Sequence, residues 1–592
     1  MKKVYLALGA FVLLCCNYLS AQNWVDMIKG RANLHDVQSA FNTWHSQQEH
    51  AVLDKHDADA KKGKEEGEDG NYELFKRWEW LMEPRTYPTG NMPDMVSITN
   101  QYQDYLNVHK ADANTHRVEA SARWSYAGIV KSPTNGEAGR INRVRIHPTS
   151  NNIIYACSPS GGLWKSTNSG NNWATNTDQL PDLATSDVAI DPKNTNIMYL
   201  ATGDGDGIGG GETTPSTIGV LKSTDGGNTW NRTSLYYTLA ASGPGEITVN
   251  ELLINPQHPD TLLAATSVGL YCTLNAGLSW YLVQAGNIKD IAMEPSHPWV
   301  VYATSANAQF YRSATYGLSF KQVTVPSSAG AGRMSLAVSA ADSNYVYILA
   351  DNASSAAFFG VWLSKDDGQT FTLQSNSPNL LGFSPSGSDN AGQGWYTLAF
   401  AASPTNANEV IVGGVNVWRS INGGVTWTLN AEENGFGAHY VHADIHCLVY
   451  LNSNSYYAGT DGGVAETTTS GISPWNDYGN GLEIAEQYSI GLSKLTSNLW
   501  LTGWQDNGTN LAKAGAWSEV IGGDGMVCFI DNTNDNNMYG ETYQGGFNFS
   551  SNGGGSFNSI AIATGESAAW VTPWLQDPKA SSTLFAGYEN VW

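Results

Sequence analysis

One eight-residue pattern returns seven times in this chain, and a repeat of that kind constrains the fold more than any other feature. The segments open at Ser166, Ser223, Thr273, Ser313, Ser364, Ser420 and Ser550. The fifth residue is glycine each time: Gly170, Gly227, Gly277, Gly317, Gly368, Gly424 and Gly554. The eighth is aromatic: Trp173, Trp230, Trp280, Phe320, Phe371, Trp427 and Phe557. The third is Asn168, Asp225, Asn275, Asp366, Asn422 or Asn552, with Thr315 as the exception. These positions describe a turn. The third side chain accepts backbone N–H groups across the loop, the glycine supplies a positive φ, and the aromatic packs beneath and ties down the next strand. Asp225, Trp230, Asp366, Gly424 and Trp427 are therefore read as structural.

A second pattern precedes each turn. Val144-Arg145-Ile146-His147-Pro148 matches Val188-Ala189-Ile190-Asp191-Pro192, Leu252-Leu253-Ile254-Asn255-Pro256 and Ile291-Ala292-Met293-Glu294-Pro295. Each is a strand ending at a proline turn. Two further strands lead into the eight-residue turn and a fourth leaves it, which makes one blade of a β-propeller. Degenerate blades fall at Tyr457–Gly463 and Trp504–Gly508, and a tenth begins near Trp574. The expected fold is all-β: a multi-bladed β-propeller, either one ten-bladed ring or seven-bladed rings in tandem. Val591-Trp592 matches Val417-Trp418, which stands just ahead of a box. A stop there leaves strand edges unpaired, so the propeller is expected to be C-terminally truncated, with residues 570–592 its least ordered part.

The domains read as a signal peptide over 1–21, an N-terminal helical segment with a charged linker over 22–118, and the propeller over 119–592. Lys2 and Lys3 precede an apolar run from Val4 to Leu14, and Ser20-Ala21 offers a cleavage site; that is a secretory leader, too short to span a bilayer. Helical spacing runs from Trp24 to Trp44 and from Tyr72 to Met82, where Pro84 is expected to end the helix. A net charge of −23 opposes nucleic-acid phosphates. Cys157, Cys272, Cys447 and Cys528 lie in apolar runs and read as buried thiols.

Several groups could carry function. Arg143, Asp187, Glu251 and Asp290 stand just before the innermost strands, where a propeller holds ligands, and Trp504 could serve as a sugar platform. His442, Asp444 and His446 share one face if the chain is extended, a geometry suited to Zn²⁺. Asp204 and Asp206 open a Gly-rich acidic loop reaching Glu212, whose oxygens suit Ca²⁺. Asp461, Asp506 and Asp524 lie in Gly-rich loops of successive blades and could act as acid and base on a glycoside.

The boxes resemble the Asp-box (BNR) repeat of sialidases, the sortilin (VPS10) propeller and xyloglucanase-type glycoside hydrolases. With Gly161–Ser166, His442–His446, Trp504–Thr509 and Gly522–Gly525, the chain is similar to secreted Bacteroidetes proteins of sortilin-like or glycosyl-hydrolase-like type. That resemblance implies a C-terminal domain beyond Trp592 for the type IX secretion machinery. Two departures bear on activity. The xyloglucanase-type T-D-x-G-G stretch of an early blade corresponds here to Ser158-Pro159-Ser160-Gly161-Gly162, with Pro159 in the aspartate's place. The sialidase R-I-P motif corresponds to Arg140-Ile141-Asn142. The first reading is a secreted scaffold that binds an extracellular polysaccharide or protein; the alternative is an endo-acting glycoside hydrolase.

Overall fold

The computed structural model describes residues 31–53, 71–92, 95–109, 126–207, 217–236, 248–562 and 565–592. The leader, the charged linker and Glu212 lie outside them. The chain divides into two compact units, residues 1–93 with 239–245, and residues 94–238 with 246–592.

In the first unit, helix α1 (Leu34–Leu53) packs on helix α2 (Asn71–Thr86). Val37, Phe41, Phe75 and Trp78 are buried, and the Phe41 and Phe75 rings stack at 3.7 Å. Pro84 does not stop α2, which continues to Thr86. The proline sits in the last turn, so its missing N–H withdraws only the backbone bond to the Trp80 carbonyl, and beyond it the Tyr87 and Gly90 N–H groups donate to the Glu83 and Thr86 carbonyls at 3.1 and 2.8 Å.

Among its described residues the second unit holds helix α3 (Met95–His109) and ten sheets: eight of four strands, one of five and one of two. We number them as blades 1 to 10 in chain order. Their strands pair antiparallel with their sequence neighbours, as the turn chemistry demands; the exception is the short parallel fifth strand His439–Tyr440 of blade 6. The first strands of blades 1 to 7 are Arg143–His147, Thr185–Ile190, Val249–Ile254, Ile288–Met293, Ala331–Val338, Ala399–Ala402 and Cys447–Tyr450. Each lies against the next, and the strand of blade 7 lies against that of blade 1.

Side chains at one register position stitch these strands together. Asp187 Oδ2 accepts the Leu252 N–H, Glu251 Oε2 the Ile291 N–H, and Asp290 Oδ2 the Leu336 N–H, each at 2.9 Å. The same position in blade 7 is Cys447, whose Sγ accepts the Val144 N–H of blade 1 at 3.1 Å. The boxes agree: each docks on the blade before it, as when Trp427 Nε1 of blade 6 donates to Ser375 Oγ of blade 5 at 3.0 Å. The box of blade 1 docks on blade 7, where Trp173 Nε1 donates to the Tyr478 carbonyl at 2.8 Å and Asn480 Nδ2 to the Asn171 carbonyl at 2.8 Å. Seven blades therefore close a ring, which decides against one ring of ten. Blade 8 begins a further series, with Ser489 Oγ accepting the Cys528 N–H of blade 9 at 3.1 Å.

The box turns take the form that the sequence requires. In every box the glycine N–H donates to the opening hydroxyl at 2.8 to 3.0 Å, with the glycine at φ between 73° and 88°. Thr315 fills the third position with its hydroxyl, accepting the Ser319 N–H at 3.1 Å. An eighth box was hidden in blade 7, where Gly471 N–H donates to Thr467 Oγ1 at 2.8 Å; its aromatic, Trp475, stands one residue late. The four cysteines are free and buried.

Trp230 packs against the apolar cluster between blades 1 and 2 but is only half-buried. Trp230→Ala should cost about 2 kcal/mol, below the range for a fully enclosed Trp. A urea titration reads this directly, and an unchanged midpoint would contradict a structural role for the box.

Candidate active site on the turn face of the first ring

Strand order puts the loops of each blade at two ends. The boxes join third to fourth strands at one end. The turns between second and third strands, and the crossovers into the next blade, lie at the other. The described residues of the acidic loops read above fall at this second end. Arg140 and Asn142 lead into blade 1, and Asp204 and Asp206 follow the second strand of blade 2. Tyr396 leads into blade 6, and the His442–His446 segment into blade 7. Asp461 occupies the second turn of blade 7. Glu486 leads into blade 8, Asp506 occupies its second turn, and Asp524 leads into blade 9.

The ring brings several of these groups into one network. Arg140 grips Asp204 with both terminal nitrogens at 2.9 and 3.0 Å, and Asn142 Nδ2 adds a third bond at 2.7 Å. Arg140 Nε lies 3.5 Å from Asp461 Oδ1, and its guanidinium sits 4.8 Å from the Tyr396 ring centre. His446 Nε2 bonds Asp461 Oδ1 at 2.7 Å, and the Tyr396 hydroxyl donates to Asp461 Oδ2 at 2.6 Å. His446 Nδ1 lies 3.5 Å from Asp206 Oδ2, whose other oxygen receives Arg333 Nη2 at 2.5 Å. Asp461 is almost fully enclosed, at 1% exposure.

Charge states diverge within this network. Burial pushes Asp461 upward, but His446 and then Arg140 outweigh it and hold the carboxylate below its ordinary range. Burial lowers His446, yet the Asp461 carboxylate lifts it above an ordinary imidazole. Glu486 goes the other way: burial raises it against the pull of Arg140 and of the Ser160 hydroxyl, which donates to Oε1 at 2.5 Å. A second group forms where blade 8 meets the segment before Arg140. There His442 Nε2 lies 3.5 Å from Glu137 Oε2, burial raises Glu137, and burial and then Glu137 push Glu519 up to about 7.

The Asp461–His446 pair predicts a pH profile. A depressed Asp461 contributes stability above the unfolded carboxylate value of about 4, lost as pH falls. A raised His446 contributes below the unfolded value of about 6.5, lost as pH rises through its folded value. Their joint contribution should therefore be largest between about pH 4 and 6.5. Urea midpoints across pH 4 to 9 should show that excess in the wild type and lose it in His446→Gln; parallel profiles would refute it.

The remaining candidates find other surroundings. Asp187, Glu251 and Asp290 spend oxygens on the stitches between blades, and Arg145 Nε and Nη2 bond Asp187 Oδ1 and Glu251 Oε1 at 2.7 and 2.8 Å. Trp504 has no exposed surface and packs on Trp517 at 5.7 Å, with Nε1 bonded to Thr502 Oγ1 at 2.9 Å. It is a core residue with no face open to a sugar. The His442–His446 segment is not extended: Asp444 has φ 64° and bonds Gln393 Nε2, while His442 Nε2 meets the Asp506 carbonyl at 3.1 Å. Among the described residues no group of three His, Cys, Asp or Glu side chains is arranged to hold a metal ion. Asp204 and Asp206 are instead neutralised by Arg140 and Arg333.

Asp506 is half-buried, with φ 56°, and its N–H donates to the buried Asp524 Oδ1 at 2.7 Å. The Gln505 N–H donates to the Glu486 carbonyl at 2.9 Å, so Asp506 and Glu486 stand at adjoining strand ends of blade 8. Glu486, Tyr396, Glu137 and Glu519 were missed in the sequence. The first strand of blade 8, Gln487–Leu492, is followed by Ser493-Lys494 in place of the proline turn, so the residue leading into it carried no flag.

Fold and site together define an Asp-box β-propeller whose turn face gathers carboxyl groups around a buried arginine. No family model matches the sequence. Xyloglucanase Xgh74A of Acetivibrio thermocellus is 23% identical over 328 residues, covering 49% of this chain and 38% of that protein. A xyloglucanase of Hypocrea jecorina is 24% identical over 176 residues, 28% of this chain and 20% of that protein. The chain thus spans at most about two fifths of these curated relatives. Among solved structures, the GH74 enzyme of Niastella koreensis gives a TM-score of 0.56 at 18% identity, covering 78% of this chain and 70% of that one. An ancestral GH74 enzyme gives 0.54 at 16% identity, covering 77% and 67%. These likenesses establish a GH74-like propeller fold. Among the described residues no helix is long and apolar enough to cross a membrane.

Proposed function

We propose that this chain belongs to an extracellular, endo-acting glycoside hydrolase that cleaves a plant-type β-glucan, xyloglucan being the first substrate to test. The observation that carries the reading is the pair of carboxyl groups at the adjoining strand ends of blade 8, one of them raised by burial. Glycoside hydrolysis needs a protonated acid at the leaving oxygen and a second carboxylate to activate water or attack the sugar. Glu486 is suited to the first role and Asp506 to the second. Asp461, enclosed and bonded through both oxygens, is a positioning residue that orients His446 and Tyr396. Asp524 fixes the backbone at Asp506. The likeness to xyloglucanases supports the substrate class, and the leader-like residues 1–21 support export, with type IX secretion as the route.

The test is a polysaccharide panel assayed for both binding and new reducing ends. Reducing-end release from xyloglucan, or from another β-glucan, is the expected result. Saturable binding without release would overturn hydrolysis and return the scaffold reading, which the closed environment of Asp461 favours.

A further inference from the structure

A cavity of about 360 Å³ lies within the first ring, walled by the first strands of six of its seven blades. Its charged lining is Arg143, Arg145, Lys289 and Arg333 against Glu251 and Asp290, with His446, already bonded to Asp461, beside them. The acids are committed. Glu251 Oε2 accepts the Ile291 N–H, and Asp290 Oδ2 accepts the Leu336 N–H and the Ser335 hydroxyl at 2.9 and 2.6 Å. Three of the cations are committed as well. Arg145 bridges Asp187 and Glu251. Arg333 bonds Asp206 and, through Nη1, the Trp395 and Tyr396 carbonyls, both at 3.1 Å. Lys289 Nζ donates to the Gly205 carbonyl at 2.9 Å.

Arg143 differs. Its ion pair with Glu251 Oε1 spans 3.8 Å, beyond hydrogen-bond range, and its Nε is buried without an acceptor. Its side chain is 22% exposed, so solvent reaches it. The walls on blades 5 and 6, and on blade 7 beside Arg143, include Ser335, Ala337, Ala399, Ala401 and Cys447 and add no competing acid. A guanidinium keeps its donors in a rigid fork that matches two oxygens of one anion, and such paired bonds are strong in a partly desolvated cavity.

We propose that the cavity of the first ring binds a small oxyanion through the Arg143 fork. The oxyanion is a phosphate, a sulfate or a carboxylate such as a uronate. The cavity adjoins the turn-face network through Arg333 and His446, but the proposed site uses neither Glu486 nor Asp506 and stands whether or not the protein hydrolyses glycans. Calorimetric titration of the purified protein with sodium phosphate, sodium sulfate and sodium glucuronate, at ionic strength matched by sodium chloride, tests it and distinguishes the anions. Saturable binding of at least one of the three is expected, weakened at least tenfold in Arg143→Met. Arg143→Lys keeps the charge and loses the fork, so it should fold and bind more weakly than the wild type. Absence of saturable binding for all three anions would overturn the proposal. So would a heat matched by chloride alone, or equal affinity in whichever of the two variants folds.

Discussion

Trp173→Ala should destabilise the propeller unit by about 3–5 kcal/mol, the range for a buried tryptophan. Trp173 is 7% exposed and belongs to the apolar cluster that holds Val144, Ile154 and Trp164 of blade 1 with Cys447, Tyr457 and Val464 of blade 7. It is thus the box aromatic that closes the ring. Truncation removes its share of that cluster and the bond to the Tyr478 carbonyl, and leaves that carbonyl to find water at a junction no covalent connection holds. Gly481 packs within 3.0 Å of the Trp173 backbone when a Cβ is placed on it, so the junction has no slack with which to collapse. Trp173→Phe keeps most of the packing and loses the N–H, which should cost about 1 kcal/mol more than the lost area alone. Urea unfolding of both variants, beside Trp230→Ala, reads the ranking. If Trp173→Ala is no worse than Trp230→Ala, the closure of seven blades at this box is wrong.

Glu486→Gln and Asp506→Asn should each reduce glycan hydrolysis by about 10²–10⁴-fold, the usual contribution of a positioned acid or base. Both substitutions are nearly isosteric, and neither removes a packing contact. In Glu486→Gln the amide can still bond Ser160 but cannot deliver a proton at neutral pH. Its loss should fall on kcat, and the acid limb of the rate profile should persist while the alkaline limb disappears. An activated leaving group, which needs little protonation, should restore a large part of the rate in Glu486→Gln and nothing in Asp506→Asn. A uniform rise in KM with kcat unchanged in either variant would assign that residue to binding. Asp461→Asn serves as the contrast: it should lower the stability excess on the acid side of neutrality, because its partner His446 loses the charge that raises it.

Much of the fold was legible because it is written in local chemistry. A box turn needs only a hydroxyl, an acceptor, a glycine and an aromatic within eight residues, so seven boxes could be placed without knowing any neighbour. Where that chemistry is degenerate, as at Thr467–Trp475, the box escaped notice although its hydrogen bonds are intact. Pro84 misled for a related reason. Proline costs a helix most in its interior, and in the last turn it gives up one backbone bond while the Glu83 and Thr86 carbonyls still find the Tyr87 and Gly90 N–H groups.

The sequence by itself determined a blade-by-blade all-β propeller and the positions of seven of its box turns. Only the tertiary structure decided how many blades close a ring, because the deciding bonds join residues about 300 positions apart, Val144 with Cys447 and Trp173 with Tyr478. It also decided which charges are spent. Asp187, Glu251 and Asp290 look like a free polar rim in sequence, and each proves to cap the backbone of the next blade. Asp204 and His446 look like ligands, and they prove to be partners of Arg140 and Asp461. Charge on a side chain is a property of the residue, but whether that charge is available to a ligand depends on what the fold brings within 3 Å of it.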